Sequence, residues 1–143
     1  MREVVKFSEC FVCGDKNSCG LKAKFYVQED GSVATEYKVE KEFVGYADVL
    51  HGGVLASLLD EVMIKAILKD DILAVTASMD VKFKRPVYVD QTIKLRGKVI
   101  GSRGRVFKTE GVAEVEGKTV GTATGTYVKA KGELADTLKR SLE

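Results

Sequence analysis

Several things are scarce in this sequence, and each scarcity removes a class of protein. Its 143 residues include one histidine, His51, and one proline, Pro86, so a mechanism that needs a histidine base has a single candidate. Charge of one sign is missing too. Twenty-three Lys and Arg stand against 21 Asp and Glu, a balance of +2, which is not the strong positive field that general nucleic-acid binding requires. No stretch approaches membrane-spanning length. The start, Met1-Arg2-Glu3-Val4-Val5-Lys6, mixes charges and has no apolar run resembling a signal peptide. A cytoplasmic protein is therefore expected, with neither nucleic acid nor membrane as partner. Cysteine occurs three times, as Cys10, Cys13 and Cys19, an odd set near one end that does not suit a disulfide framework. Reduced thiols are the simpler expectation. There is no internal repeat, low-complexity tract or linker.

What is present suffices for one core. Hydrophobic residues make up 45% of a chain of ordinary single-domain length, so residues 1–143 are expected to form one domain. Residues 22–28 and 33–39 alternate apolar and polar side chains as strands do, and Asp30-Gly31 between them suits a tight hairpin turn. Residues 40–50 carry no clean period. From 51 to 69 the period becomes helical, with Leu55, Leu58, Leu59, Val62, Met63, Ala66 and Ile67 at three- and four-residue steps. Strands return at 72–84, 91–99, 105–115 and 118–129, punctuated by Pro86, Gly101-Ser102-Arg103-Gly104 and Glu116-Gly117. Gly97, Gly111, Gly121 and Gly125 inside these strands predict bulges or close backbone approach. Residues 132–142 read as a short charged helix. The pattern describes an α+β domain, a curled antiparallel sheet wrapped around one long central helix.

The helix entry carries the chemistry. Gly52 and Gly53 leave the first amides of the helix uncovered, where the helix dipole adds partial positive charge. Such a terminus can polarise a carbonyl and stabilise an oxyanion, with Gly52 as the amide donor; the same glycines would equally serve a tight entry into the helix. Asp60 and Glu61 are adjacent and point in different directions. Glu61 has Lys65 one turn later, an ordinary surface ion pair. Asp60 is flanked by Ala56, Ser57, Met63 and Ile64 with no cation at those steps. An unpaired carboxylate at the edge of an apolar stripe is costly unless solvated or used, which singles out Asp60 against the alternative of a solvent-facing aspartate.

The run His51-Gly52-Gly53-Val54-Leu55-Ala56-Ser57-Leu58-Leu59-Asp60-Glu61 closely resembles the helix motif of hotdog-fold acyl-CoA thioesterases of the phenylacetate-pathway type. Thr76-Ala77-Ser78-Met79-Asp80-Val81-Lys82-Phe83-Lys84-Arg85-Pro86 resembles the strand that follows. The resemblance implies the hotdog fold and an acyl-CoA substrate. It also implies Asp60 as general base or nucleophile, the Gly52 amide on the thioester oxygen, and Thr76 assisting the attacking water. Homodimers that pair sheets side by side, or dimers of such dimers, are implied as well, with Asp60 and Thr76 of one site on different chains. Some relatives carry a water-orienting amide side chain where Gly45 stands here. No cofactor is needed for hydrolysis. The competing readings are a non-catalytic acyl-CoA binding module, and a dehydratase or hydratase using His51; otherwise His51 is expected to bond nearby backbone.

Two further groups remain. Cys10-Phe11-Val12-Cys13-Gly14 with Asn17, Gly20 and Leu21 resembles an amino-terminal signature of a subset of hotdog thioesterases. Cys10 and Cys13 have metal-ligand spacing, but no second C-x-x-C or C-x-x-H pair completes a tetrahedral set, so packed or free thiols are expected and no metal. Lys82, Lys84 and Arg85, with Arg103, Arg105 and Lys108 on the next hairpin, could meet coenzyme A phosphates or simply solvate strand edges. Arg85 and Arg103, with His51 and Gly53, complete the expected substrate-binding set. Phe43, Tyr46 and Leu50 are candidates for an acyl pocket.

Overall fold

A computed structural model describes all 143 residues. Six strands form one antiparallel sheet: β1 (Tyr26–Val27), β2 (Val33–Lys38), β5 (Ala74–Phe83), β6 (Thr92–Arg103), β7 (Val106–Val115) and β8 (Lys118–Lys129), in the order β1-β2-β6-β7-β8-β5. A small hairpin of β3 (Val44–Tyr46) and β4 (Val49–Leu50) leads into helix α1 (Gly52–Leu68), and α2 (Gly132–Ser141) ends the chain. No helix is long and apolar enough to cross a membrane.

The turns follow their residues. Gly31 takes φ +86 while Asp30 Oδ1 accepts both Ser32 N–H and Ser32 Oγ–H, at 3.0 and 2.6 Å. Glu116 and Gly117 both take positive φ, 52 and 78, as the tightest hairpins need. Two expectations are corrected here. The first strand is only two residues long, because the amino-terminal segment takes backbone groups on either side: Val4 N–H donates to Phe25 O and Val27 N–H to Arg2 O, both 2.8 Å. The anticipated turn at 101–104 moves to Gly104-Arg105, since β6 shifts register between Val99 and Gly101 and continues to Arg103.

All seven apolar residues of the helical pattern are buried. The sheet curls under α1 through glycines. A Cβ at Gly97 would collide with the Val62 carbonyl oxygen and lie 2.7 Å from its carbon; at Gly111 it would meet Met63 Cγ at 3.2 Å, and at Gly121 Leu55 Cδ2 at 3.2 Å. Helix backbone and sheet backbone touch only because Gly97 has no side chain. On the opposite side of α1 the amino-terminal segment closes the core, bringing Val4, Val12, Cys13 and Phe25 against it. This corrects the reading of Glu61 and Lys65 as a surface pair. Both are buried, Lys65 completely, with Lys65 Nζ donating to Val5 O at 2.6 Å and lying 5.3 Å from the Phe7 ring centre. The helix face left less covered carries Gly53, Ala56, Ser57, Asp60 and Ile64.

Candidate active site

The start of α1 is anchored from both sides before it turns. Leu50 N–H donates to Val87 O at 2.8 Å and His51 N–H to Phe43 O at 2.9 Å. His51 is the N-cap: its Nδ1 accepts the Gly53 amide at 2.8 Å, leaving Nε2 as the free ring nitrogen. Gly53 is glycine because a Cβ there would lie 3.0 Å from that Nδ1. Gly45 packs on the other face of the ring, where a Cβ would sit 3.2 Å from His51 Cα and Cδ2. The Gly52 amide has no partner in the chain. It opens, with His51, Arg85, Tyr46, Leu50 and Phe83, onto a cavity of about 620 Å³. Phe43 lies apart from it, edge-on to Phe11.

Asp60 sits two turns further along. Its Oδ1 accepts two hydrogen bonds, from Tyr127 Oη at 2.7 Å and from Thr76 Oγ1 at 2.9 Å. Its Oδ2 accepts none, and the carboxylate forms no ion pair. The carboxylate is thus oriented through one oxygen and free through the other. Tyr127 is fully buried; burial, and then the neighbouring Asp60 charge, hold its phenol well above the usual tyrosine range. Its proton is therefore held at neutral pH, where it is donated to Asp60. Sequence reasoning passed over Tyr127. The available signal was its place on the inward period of β8 with Ala123 and Gly125, where a tyrosine hydroxyl must find a partner.

The structure thus brings Asp60 and Thr76 together within one chain, across α1 and β5, and overturns the expectation that they come from different chains. The separated pair is Asp60 and Gly52, eight residues or about 12 Å apart along the helix axis. The two arginines are also separated. Arg103 lies opposite Val106, which pairs Val128, which pairs Val75. Arg85 follows Phe83 at the far end of β5, roughly 25 Å further along the strand. Of the other basic residues, Arg105 donates to Lys129 O and Lys108 to Thr126 Oγ1. The largest cavity, about 1180 Å³, lies over the amino-terminal segment, β2 and β6 and contains none of these residues.

One antiparallel sheet curled around one long helix, with an amide-rich helix start and an oriented carboxylate two turns on, defines a hotdog-fold protein. Residues 47–122, more than half of the chain, match the family model of the Thioesterase superfamily. The chain belongs to that superfamily, a family of thioester hydrolases. Among solved structures it is similar to a thioesterase superfamily protein at 26% identity and TM-score 0.80, over 85% of this chain and 61% of the other. The chain thus spans about three-fifths of that protein's length. It is similar to a hypothetical thioesterase with coenzyme A from Streptococcus pneumoniae, at 19% identity and TM-score 0.70 over 76% and 85% of the two chains. That protein is also known as threonine-to-alanine and aspartate-to-alanine variants whose positions lie sixteen apart. The E. coli PaaI protein of the phenylacetic acid degradation operon aligns at 20% identity and TM-score 0.72 over 78% and 82%. No curated protein matches the sequence at a significant level.

Proposed function

We propose that the chain is an acyl-CoA thioesterase that works as a homodimer, with Asp60 as its general base or nucleophile. The observation that carries this reading is the Asp60 carboxylate, held through Oδ1 by Tyr127 and Thr76 with Oδ2 unpartnered. Sixteen residues separate Asp60 from Thr76, the spacing of the altered aspartate and threonine in the pneumococcal relative. Oδ2 takes a proton from water as the water oxygen attacks the thioester carbon, or attacks that carbon itself. The carbonyl oxygen gathers negative charge against the Gly52 amide. The C–S bond then breaks, and the thiolate of coenzyme A leaves and is protonated; when water was the attacking group the free acid remains, and when Oδ2 was, a mixed anhydride on Asp60 remains, which water hydrolyses to the free acid and the restored carboxylate.

Both groups must reach one carbonyl, yet in a single chain they stand about 12 Å apart. A second chain resolves this. β5 is an edge strand of ten residues with one side unpaired, a ready template for strand addition. Antiparallel pairing of β5 with its symmetry mate about a twofold axis near Met79 and Asp80 would set Thr76 opposite the partner's Phe83. Phe83 is the residue that lies against Gly52, where a Cβ would be 3.5 Å from its ring. The same operation brings Arg103 of one chain towards the end of β5 that precedes Arg85 in the other. His51 is occupied as a helix cap, which disfavours its use as a dehydratase base.

The test is thiol release from a panel of acyl-CoAs by wild type, Asp60→Asn and His51→Ala. Asp60→Asn should lower kcat by at least about 100-fold with little change in KM. Wild-type rates in Asp60→Asn would sink the mechanism. Binding of several acyl-CoAs without cleavage by wild type would make the chain a binding module, and loss or gain of water by a 3-hydroxyacyl- or enoyl-CoA without thiol release, abolished in His51→Ala, would favour the dehydratase reading.

A further inference from the structure

The side of α1 that faces the amino-terminal segment holds a cluster for which thioester hydrolysis has no use. Cys10 Sγ, Cys13 Sγ and a carboxylate oxygen of Glu61 lie within 4.8 Å of one another. The local chain is shaped around Cys10: the amides of Val12 and Cys13 both point at its sulfur, at 3.3 and 3.4 Å. Gly14 N–H closes the turn on Cys10 O at 2.8 Å. That closure tolerates no side chain, since a Cβ at Gly14 would lie 2.5 Å from Ser8 O and 2.7 Å from Cys10 O. Two amides aimed at one sulfur favour its thiolate form. Glu61 supplies the second, independent observation. Its Oε2 is buried and has no hydrogen-bond partner; Lys65 Nζ is 3.6 Å away but bonds the Val5 carbonyl instead. A buried carboxylate oxygen left without a bond is costly and calls for a missing partner.

We propose that Cys10, Cys13 and Glu61 bind one divalent, borderline-soft metal ion of the zinc class, with solvent as the fourth ligand. Two thiolates and a carboxylate are the donor set such an ion takes in tetrahedral geometry. Charge supports the assignment. The three anionic ligands are matched by the two charges of the ion and the one of Lys65, so the buried cluster carries no net charge. Cys10 is the one ligand that also lines a cavity, of about 450 Å³, shared with Phe7, Ser8 and Thr76, which gives solvent access to the ion. Sequence spacing missed the set because its third member is on α1 rather than beside the cysteines. The ion would clamp the amino-terminal segment onto the helix, and the proposal stands or falls independently of the thioesterase reading.

The test is a titration of the reduced, chelator-stripped chain with Co2+ and then Zn2+ in the presence of a competing chromophoric chelator. The expected result is one Co2+ per chain with thiolate-to-metal charge transfer and tetrahedral d–d absorption, displaced by Zn2+. Cys10→Ser, Cys13→Ser and the isosteric Glu61→Gln should each weaken binding at least about 100-fold. Cys19→Ser, at an exposed residue outside the cluster, should bind as wild type does. The proposal is overturned if the reduced wild-type chain binds no stoichiometric metal or gives octahedral Co2+ without charge transfer. It is equally overturned if Glu61→Gln binds as tightly as wild type, or if Cys10 and Cys13 form a disulfide in preference to holding the ion. The wild-type arms decide the matter even if a variant fails to fold.

Discussion

At the scale of single residues the site depends on which oxygen of Asp60 is occupied. Both donors choose Oδ1, so removing either should loosen the carboxylate without emptying the site. Tyr127→Phe should lower kcat about 10-fold at nearly constant KM. Thr76→Val should act in the same direction. A Tyr127→Phe enzyme with wild-type kcat would show that the hydroxyl only packs. A second expectation concerns stability. Burial raises the phenols of Tyr127 and Tyr37, the latter to about 12. A folded state that holds a phenolic proton more tightly than the unfolded chain loses stability as pH rises above about 10. Urea midpoints at pH 8 and pH 11 should therefore fall in wild type and fall less in Tyr127→Phe.

At the scale of elements, the crossing of α1 over the sheet is where one atom has most leverage. Gly97→Ala places a methyl group against the Val62 carbonyl and should cost about 3 kcal/mol, since neither helix nor strand backbone can yield cheaply. Gly101→Ala, in the same strand with nothing within 4 Å, should stay within about 0.5 kcal/mol. Chemical denaturation of the pair checks both, and equal effects would mean that α1 does not rest on β6 at Gly97. These glycines, the helix with its seven apolar positions, and the ends of β8 were legible in sequence because each follows from local periodicity and sterics. Glu61 and Lys65 were not. Their spacing is that of a surface pair, and only the fold of a distant segment, Val4 to Phe25, decides that this face of α1 is covered.

At the scale of the whole molecule, the proposed mechanism draws Asp60 and Gly52 of one site from two chains. Gly52→Pro removes the amide hydrogen yet suits the first position of a helix, and His51, at φ −60 and ψ 130, already has the backbone that precedes proline. Asp60→Asn and Gly52→Pro should each be inactive alone. Unfolded together and refolded as a mixture, they should recover about one quarter of wild-type activity, because half of the dimers are mixed and each mixed dimer holds one intact site of two. No recovery would place Asp60 and Gly52 of one site in the same chain. Sedimentation should show a dimer or a dimer of dimers. Amino-acid order by itself determined the helix, its glycine entry and the long strands on either side of it, all consequences of period and turn sterics. Only the tertiary structure decided that Tyr127 joins Thr76 on Asp60 and that Glu61 turns towards Cys10 and Cys13. Those are distances between residues remote in sequence, and periodicity carries no information about them.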